Sequence, residues 1–560
     1  MVLENLSLFP KNLSLQIYRM NNMKPPDNAD KVTAYQFFSS QEYQKSGAAF
    51  QKITKINPQD DEAWLMQGLC MLQLGQVESA IVCLERAIAV NPDSADAHYH
   101  LGRIWLNRGW TDLAIKNLQH AIDLRENHID AHRSLVIALL ASGKFLETID
   151  ACHIALKYAP ADANIYCQLA VALEHSNQLE DARSEAEKAL NISPGHVRAN
   201  LIIAKLDKRA GNLEHARLRL MTELNKSLPP LQIATLAAEL GDVLDRMGDY
   251  TAAYESFDTG NKTLADTISP EQAEQGNVIH QINRHMHWFT PARTEGWDNE
   301  VQDNDEPSPI FLVGFPRSGT TLTEQVLASL DSIVPSDEQP VLSRLISELP
   351  MLLNRPFRYP EDLNKLCDDE LKTLRARYWT LVDAMIGKPE EGKRLLDKLP
   401  LNIIDLGMVY RLFPDARIIV VLRDPRDCCL SCFMQPFQLN QSMVNFLSLK
   451  QSSKFYAATM DLLAHYQSVL GLEFLEVRYE DMVDDLETEA RKLVEFTDEE
   501  WDDTVLNYFE HASKRDVRTP SYSAITSPIY SKSMGRWRNY KTQIKSVLPI
   551  LEPYIKAFHY

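Results

Sequence analysis

Small residues recur at a fixed interval along the first half of the chain. With Asp61 as position one of a 34-residue unit, position twenty holds alanine or threonine and position fifteen holds glycine or asparagine. The residues are Ala80, Ala114, Thr148, Ala182 and Ala216 at position twenty, and Gly75, Gly109, Gly143, Asn177 and Gly211 at position fifteen. Small side chains let two helices cross closely, and glycine or asparagine suits the turn between them. The pattern therefore predicts two antiparallel helices per unit.

Proline marks the boundaries between these units, because it ends one helix and cannot continue it. The boundary residues are Pro58, Pro92, Pro160 and Pro194, with Glu126 at the remaining place. Helix pairs with a 34-residue period resemble the tetratricopeptide repeat. Weaker units are indicated before the array, by Phe50 and Ile53, and after a three-residue insertion, by Leu240 and Gly241.

The resemblance implies an all-α superhelix over residues 31–268, preceded by an N-terminal arm over 1–30. Such superhelices bind a protein or peptide partner on their concave face. The alternative that stays open is a purely architectural role for the array.

The pattern breaks between residues 269 and 306, which we interpret as a helical connector and linker. A short helical piece carries His280, His285 and His287, but no carboxylate or cysteine is spaced to complete a metal site, so no metal is predicted. The stretch that follows reads TEGWDNEVQDNDEPSP, which is acidic, polar and typical of a linker.

The second half opens with a buried strand and a loop suited to an anion. An apolar run at 310–313 ends at Gly314, and a helical pattern follows through Leu322 and Val326. The loop between them contains Arg317, Ser318, Gly319, Thr320 and Thr321. A strand, a glycine loop and a helix start present N–H groups, hydroxyls and a guanidinium to phosphate or sulfate. No GK[ST] sequence is present, so this is not a Walker A loop.

Two further strands indicate a parallel sheet. Residues 418–422 form an apolar run that ends at Arg423, with Ser431 two helical turns beyond, and residues 474–478 lead to Tyr479. Strands that are each followed by a helix predict an α/β fold whose ligand lies at the carboxyl ends of the strands. We expect Arg423 and Ser431 to converge on a second phosphate.

Composition narrows the classes of function. The 560 residues carry a formal net charge of −19, which argues against a nucleic-acid binder. Eight cysteines without regular spacing, including a lone CxxC at Cys429 and Cys432, are typical of free thiols in a reducing compartment. No secretory signal pattern and no long apolar stretch is evident, so no membrane span and a cytoplasmic location are expected.

Four ordered segments of the second half resemble the sulfotransferase superfamily, most closely the tyrosylprotein sulfotransferase type. They read PRSGTT, LFPDARIIVVLRDPRDCCLS, VRYEDMV and SPIYSKSMGRWRNY, and the resemblance covers residues 307–545. It implies a P-loop-like α/β domain that uses 3′-phosphoadenosine 5′-phosphosulfate (PAPS) as co-substrate without a metal. The loop from Arg317 to Leu322 would hold the 5′-phosphosulfate, and Arg423 with Ser431 the 3′-phosphate.

The resemblance also assigns roles by spacing. Glu338, which stands 21 residues beyond Arg317, matches the family's catalytic base, and Lys398, 25 residues before Arg423, matches the lysine that contacts the transferring group. Tyr479 matches a nucleotide-site tyrosine, and Ser521 a serine that assists catalysis. Arg536 replaces the usual lysine of the nucleotide site, and Gln435 replaces a second nucleotide arginine. The family's membrane anchor and paired luminal cysteines have no evident counterpart.

The sequence thus predicts a multidomain protein, with a sulfotransferase domain over 307–560 behind the repeats. Its expected reaction moves a sulfuryl group from PAPS to an acceptor hydroxyl, for which a protein tyrosine and a carbohydrate or small-molecule hydroxyl both stay open. One alternative is a scaffold whose domain binds nucleotide but is catalytically inactive. Another is an unusual P-loop kinase, which the missing GK[ST] disfavours.

Overall fold

The recurring small residues lie where paired helices cross. The computed structural model describes residues 29–269, 278–297, 308–437, 439–512 and 534–560. The described residues up to Asn225 form one compact unit, and those from Lys226 form a second. The helices of the first unit are α1 Ala29–Ser39, α2 Tyr43–Ile56, α3 Asp61–Gln73, α4 Val77–Val90, α5 Ala95–Asn107, α6 Thr111–Leu124, α7 Ile129–Ala141, α8 Phe145–Tyr158, α9 Ala163–His175, α10 Leu179–Ile192, α11 Val197–Arg209 and α12 Leu213–Leu224.

The two repeated positions have the predicted structural roles. Ala80, Ala114, Ala182 and Ala216 are fully buried between helices. At Gly102, an added Cβ would lie 2.8 Å from Cγ of Leu118, so the helices cross too closely for a larger side chain. The turn residues adopt positive φ, namely Gly75 (73°), Gly109 (77°), Gly143 (74°), Asn177 (59°) and Gly211 (81°). The all-α repeat architecture is therefore confirmed.

A further helix pair opens the second unit. It consists of α13, Pro230–Arg246, and α14, Tyr250–Ala265, with Gly248 at φ 83° in the turn between them. An added Cβ at Gly241 would lie 2.7 Å from the ring of Phe257, so this pair also crosses closely. The pair has the repeat pattern but groups with the C-terminal residues. The domain limits given above stay predictions.

A five-stranded parallel sheet forms the centre of the second unit. Its strands are β1 Ile310–Gly314, β2 Ile333–Pro335, β3 Arg394–Lys398, β4 Arg417–Leu422 and β5 Glu473–Arg478, in the order β2-β3-β1-β4-β5. The strands β1 and β4 are buried along nearly their whole length, as expected for a parallel sheet covered on both faces. The α/β fold class is therefore confirmed.

Helices surround this sheet. In chain order they are α15 Val278–Trp288, α16 Pro291–Thr294, α17 Thr320–Ala328, α18 Val341–Leu352, α19 Asp368–Met385, α20 Leu406–Leu412, α21 Pro425–Met434, α22 Leu449–Val469, α23 Tyr479–Asp484, α24 Leu486–Phe496, α25 Tyr508–Ala512, α26 Lys541–Ile544 and α27 Leu548–Ala557. Within the described ranges, no helix is both long enough and apolar enough to cross a membrane.

The connector residues that the structure describes are packed against the domain. The Nδ1–H group of His285 donates to the carbonyl oxygen of Ile404 at 2.9 Å, and the side chain is fully buried. Trp297, which the sequence places in the linker, is also buried. An added Cβ at Gly407 would lie 2.0 Å from Cζ of Phe289, so glycine is required beneath that ring. Residues 298–307 of the interpreted linker lie outside the described residues.

Candidate active site

Each strand of the sheet has a predicted site residue at its carboxyl end or shortly after it. Because all five strands are parallel, these ends meet at one edge. The residues at this edge are the loop from Phe315 to Gly319 after β1, Glu338 shortly after β2, Lys398 at the end of β3, Arg423 after β4 and Tyr479 after β5. The sheet thus brings together residues that lie up to 162 positions apart, from Arg317 to Tyr479.

The first loop forms a close cradle at the start of α17. Gly319 has φ 111°, and an added Cβ would lie 2.5 Å from Cδ2 of Tyr479. Ser318, Thr320, Thr321 and Leu322 are buried in the loop and the first helical turn. The Ser318 hydroxyl has no hydrogen-bond partner among the described groups. An orphaned hydroxyl beside the N-terminus of a helix is suited to a phosphate or sulfate oxygen.

The two arginines of the site are linked through the loop. Nη1 of Arg423 donates to the carbonyl oxygen of Arg317 at 3.0 Å, and Nε of Arg317 donates to Oγ of Ser431 at 3.1 Å. The Arg423 guanidinium lies 4.7 Å from the centre of the Tyr479 ring. Burial lowers the pKa of Arg317, and the positive charges of Arg423 and Arg536 act in the same direction. A bound polyanion would relieve this concentration of positive charge.

A lysine held by two carboxylates lies at the end of β3. Nζ of Lys398 is 2.7 Å from Oε1 of Glu338 and 3.1 Å from Oε2 of Glu324. The side chains of Lys398 and Glu324 are fully buried, whereas that of Glu338 is 34% exposed. Burial alone would lower the pKa of Lys398, but the two carboxylates outweigh it and raise that pKa. The predicted base and the predicted transfer lysine therefore form an ion pair.

Glu324 is the one group at this cluster that sequence reasoning missed. Burial raises its pKa to about 7, despite the neighbouring Lys398. In the sequence it is an acidic residue in an otherwise amphipathic helix, and such residues normally face solvent. The one feature of the sequence that could have indicated burial of Glu324 is that no basic residue stands three or four positions away on the helix.

Arg536 lies beside the site but has carboxylate partners. Its Nη2 is 2.9 Å from Oδ2 of Asp245, at the end of α13, and 4.0 Å from Oδ1 of Asp242. The backbone N–H groups of Gly535 and Trp537 donate to the Asp427 carboxylate on α21, at 2.6 and 2.8 Å. This C-terminal segment is therefore fixed to the helix that carries Ser431.

For two further positions from the sequence analysis, the structure gives little information about the site. Ser521 lies outside the described residues. Gln435, the departure from the family pattern, directly follows α21 and is half-buried.

The cysteines near the site are inert thiols. All eight cysteines of the chain are free. Cys428, Cys429 and Cys432 are buried in α21, and burial raises the pKa of Cys429 to about 12. Thiolate formation is therefore disfavoured at neutral pH. In the part of the chain that the structure describes, no cluster of His, Cys, Asp and Glu is arranged to hold a metal ion.

Comparison with family models agrees with this architecture. The model described as "Sulfotransferase family" matches residues 309–503. Models of the tetratricopeptide repeat match residues 68–109, 95–128 and 133–197.

Individual proteins are similar to parts of the chain. An uncharacterized protein of Aquifex aeolicus is 27% identical over 74% of this chain and 53% of its own length. Protein-tyrosine sulfotransferase A of Caenorhabditis elegans is 24% identical over 45% of this chain and 65% of its own. The chain thus spans between half and two thirds of these relatives. The crystal structure of MamA aligns with a TM-score of 0.28 at 24% identity, over 29% of this chain and 94% of that one. Residues 309–503 therefore belong to the sulfotransferase family, and tetratricopeptide repeats precede them in the chain.

Proposed function

We propose that this protein transfers the sulfuryl group of PAPS to an acceptor hydroxyl. The observation that carries the proposal is the convergence of Arg317, Arg423 and Lys398 with one partly exposed carboxylate, Glu338, at the carboxyl edge of the sheet. Three cations suit a donor with several phosphate and sulfate charges, and a carboxylate suits the removal of a hydroxyl proton.

The donor would be held at both ends by groups that the fold already aligns. The orphaned Ser318 hydroxyl, the Gly319 cradle and the first turn of α17 fit a phosphosulfate. Arg423 and Ser431, which are joined through Arg317, fit the 3′-phosphate. Tyr479 packs against both Gly319 and Arg423, so it connects the two halves of the donor site.

The chain's own residues then perform acid–base and charge-stabilising steps. Glu338 accepts the proton of the acceptor hydroxyl, whose oxygen forms the new bond to sulfur as the bond to the donor's phosphate oxygen breaks. Lys398 and Arg317 stabilise the negative charge that moves to that phosphate oxygen. Positive side chains supply here the charge neutralisation that Mg²⁺ supplies in phosphoryl transfer.

A protein tyrosine is the acceptor we favour. The support is the likeness of part of the chain to proteins named protein-tyrosine sulfotransferases, together with repeats of a kind that bind peptides. We further propose that the repeats recruit the protein or peptide substrate. We also propose that the protein works in the cytoplasm, where its eight free thiols would stay reduced.

Titration calorimetry with 3′-phosphoadenosine 5′-phosphate tests the donor site. We expect micromolar binding by the wild type and at least a hundredfold loss in Arg423→Ala. Arg417→Ala is the matched control, because Arg417 begins the same strand and contacts Phe496 and Asp498 at the opposite edge of the sheet. Absence of binding by the folded wild type would reject the proposal.

Transfer itself is tested with radiolabelled PAPS and a tyrosine-containing acidic peptide. The wild type should label the peptide, and the same peptide with phenylalanine should stay unlabelled. Lys398→Ala should lower the rate by about 100-fold or more, since charge stabilisation by one group contributes a factor of this size. Donor binding without transfer to tyrosine, carbohydrate or small-molecule hydroxyls would favour the inactive scaffold.

A further inference from the structure

The helix pair α13–α14 contacts the elements that carry the predicted donor residues. On one side, the Asp245 carboxylate holds Arg536 and accepts a hydrogen bond from the Tyr540 hydroxyl. The ring of Tyr250 packs edge-on against that of Tyr540, with 5.4 Å between ring centres. Asp245 is the last acidic residue of α13, and its side chain is 15% exposed.

A second set of contacts reaches α21. Nδ2 of Asn261 donates to the carbonyl oxygen of Phe433 at 2.8 Å, and the ring of Tyr254 stacks on that of Phe433 with 4.9 Å between centres. Phe433 stands two residues beyond Ser431 on the same helix. The pair therefore contacts both α21 and the segment from Gly535 to Tyr540.

The geometry leaves Arg536 able to bind an anion while it is held. Its contacts with the two aspartates use Nε and Nη2. The guanidinium carries two more donors on Nη1, and its plane is fixed once one edge is paired. Its positive charge acts, after burial, in the direction that lowers the pKa of Arg317 in the first loop.

We propose that the α13–α14 pair is a structural part of the donor site and that Asp245 is a positioning residue, which acts by orienting Arg536 toward the nucleotide. This inference rests on the proposed function, since it takes PAPS as the donor. It assigns to a helix pair with the repeat pattern a role in donor binding rather than in recruitment.

Two physical effects of removing Asp245 have opposite signs, which makes the inference testable. Simple electrostatics predicts that loss of a negative charge near a polyanion site strengthens binding. Loss of orientation predicts weaker binding, because Arg536 must then be ordered at the expense of side-chain entropy. Asp258, on α14, is the matched control, since it pairs with Lys262 at 2.6 Å in the same helix pair.

The experiment is titration of the full-length protein with 3′-phosphoadenosine 5′-phosphate. We expect Asp245→Ala to weaken binding about tenfold and Asp258→Ala to change it by less than twofold. Asp245→Asn, which keeps the hydrogen-bond acceptor, should lose less than Asp245→Ala and serves in its place if the alanine variant does not fold.

A double-variant cycle separates positioning from general loss of structure. In an Arg536→Ala background, Asp245→Ala should cause no further loss beyond twofold, because its effect passes through Arg536. An additive loss, or unchanged or tighter binding by both Asp245 variants, would overturn the inference. If the wild type itself does not bind the nucleotide, the proposed function fails instead.

Discussion

The ammonium nitrogen of Lys398 lies 3.1 Å from a carboxylate oxygen of Glu324, and neither side chain has any exposed surface. Among the described groups, Lys398 is the partner that compensates the buried Glu324 carboxylate, whose oxygens have no other donor. A buried carboxylate with a single ionic partner is a costly arrangement, which the pKa of about 7 for Glu324 reflects.

Glu324→Gln should therefore change how stability depends on pH. A carboxyl whose pKa is higher in the folded than in the unfolded protein favours folding at low pH, and that contribution is lost as pH rises from 4.5, the ordinary pKa, to about 7. Glutamine does not titrate. The free energy of unfolding of the variant, relative to that of the wild type, should therefore rise by up to about 3 kcal/mol between pH 5 and pH 8.

Urea unfolding followed by hydrogen exchange of the β1 and β3 amides measures this difference in stability for the second compact unit, which contains both strands. Glu487→Gln is the surface control, because Glu487 is 55% exposed and pairs with Arg491 on α24. A wild-type to Glu324→Gln difference that stays constant across this pH range would contradict the assignment.

Gly319→Ala should weaken donor binding, and a second glycine variant can separate the steric cause from backbone strain. Gly319 and Gly387 have similar positive φ values, 111° and 97°, but only at Gly319 does an added Cβ collide, with Tyr479 at 2.5 Å. Both alanine variants carry the backbone strain, about 1–2 kcal/mol. Only Gly319→Ala should also weaken binding of 3′-phosphoadenosine 5′-phosphate, by at least tenfold in calorimetry. Equal losses in the two variants would show that backbone strain alone accounts for the effect.

His285 should make the second unit sensitive to acid. Burial lowers the pKa of His285 to about 4, and its Nε2 has no partner among the described groups that could accept a proton. Below about pH 6.5, the His285 imidazole binds a proton in the unfolded chain but not in the folded protein. Stability therefore falls as pH decreases from about 6.5 to about 4. The loss at pH 5 relative to neutral pH is about 2 kcal/mol.

His285→Gln keeps an N–H donor for Ile404 and removes the titration, so its stability should fall less between pH 7 and pH 5. Tryptophan fluorescence in urea follows this, because Trp288 lies on the same helix. His280→Gln, on the exposed face of that helix, should behave as the wild type does. Parallel pH curves for wild type and His285→Gln would contradict the role given to burial.

The pattern of hydrophobic residues predicted the fold well where elements have a strong period. The helix turns at Gly75 and Asn177 and the strands β1, β4 and β5 follow it within one residue. It missed β2, which has three residues, and β3, whose sequence RLLDK carries charges at both ends. In β3, Lys398 pairs with the buried Glu324 and Arg394 donates a hydrogen bond to the carbonyl oxygen of Thr497, so tertiary contacts override the polar appearance.

The candidate site could be predicted only as separate segments. The sequence spacings identified Arg317, Glu338, Lys398 and Arg423, and the sheet brings these residues to one edge. The spacings could not show that Lys398 pairs with Glu338, or that Asp245 reaches Arg536 across 291 positions. Such pairings depend on three-dimensional packing, and no local pattern records them.

The separation between α13–α14 and its partners bears on the order of events during synthesis. The pair contacts Phe433 and Arg536, which follow it by 172 and 291 positions. At ribosomal rates of about 5–20 residues per second, Asp245 leaves the ribosome roughly 15–60 seconds before Arg536. Earlier helix pairs pack on neighbours in sequence and need no such delay. Until Phe433 and Tyr540 are synthesised, Tyr254 and Tyr250 lack the aromatic rings on which they pack in the folded protein.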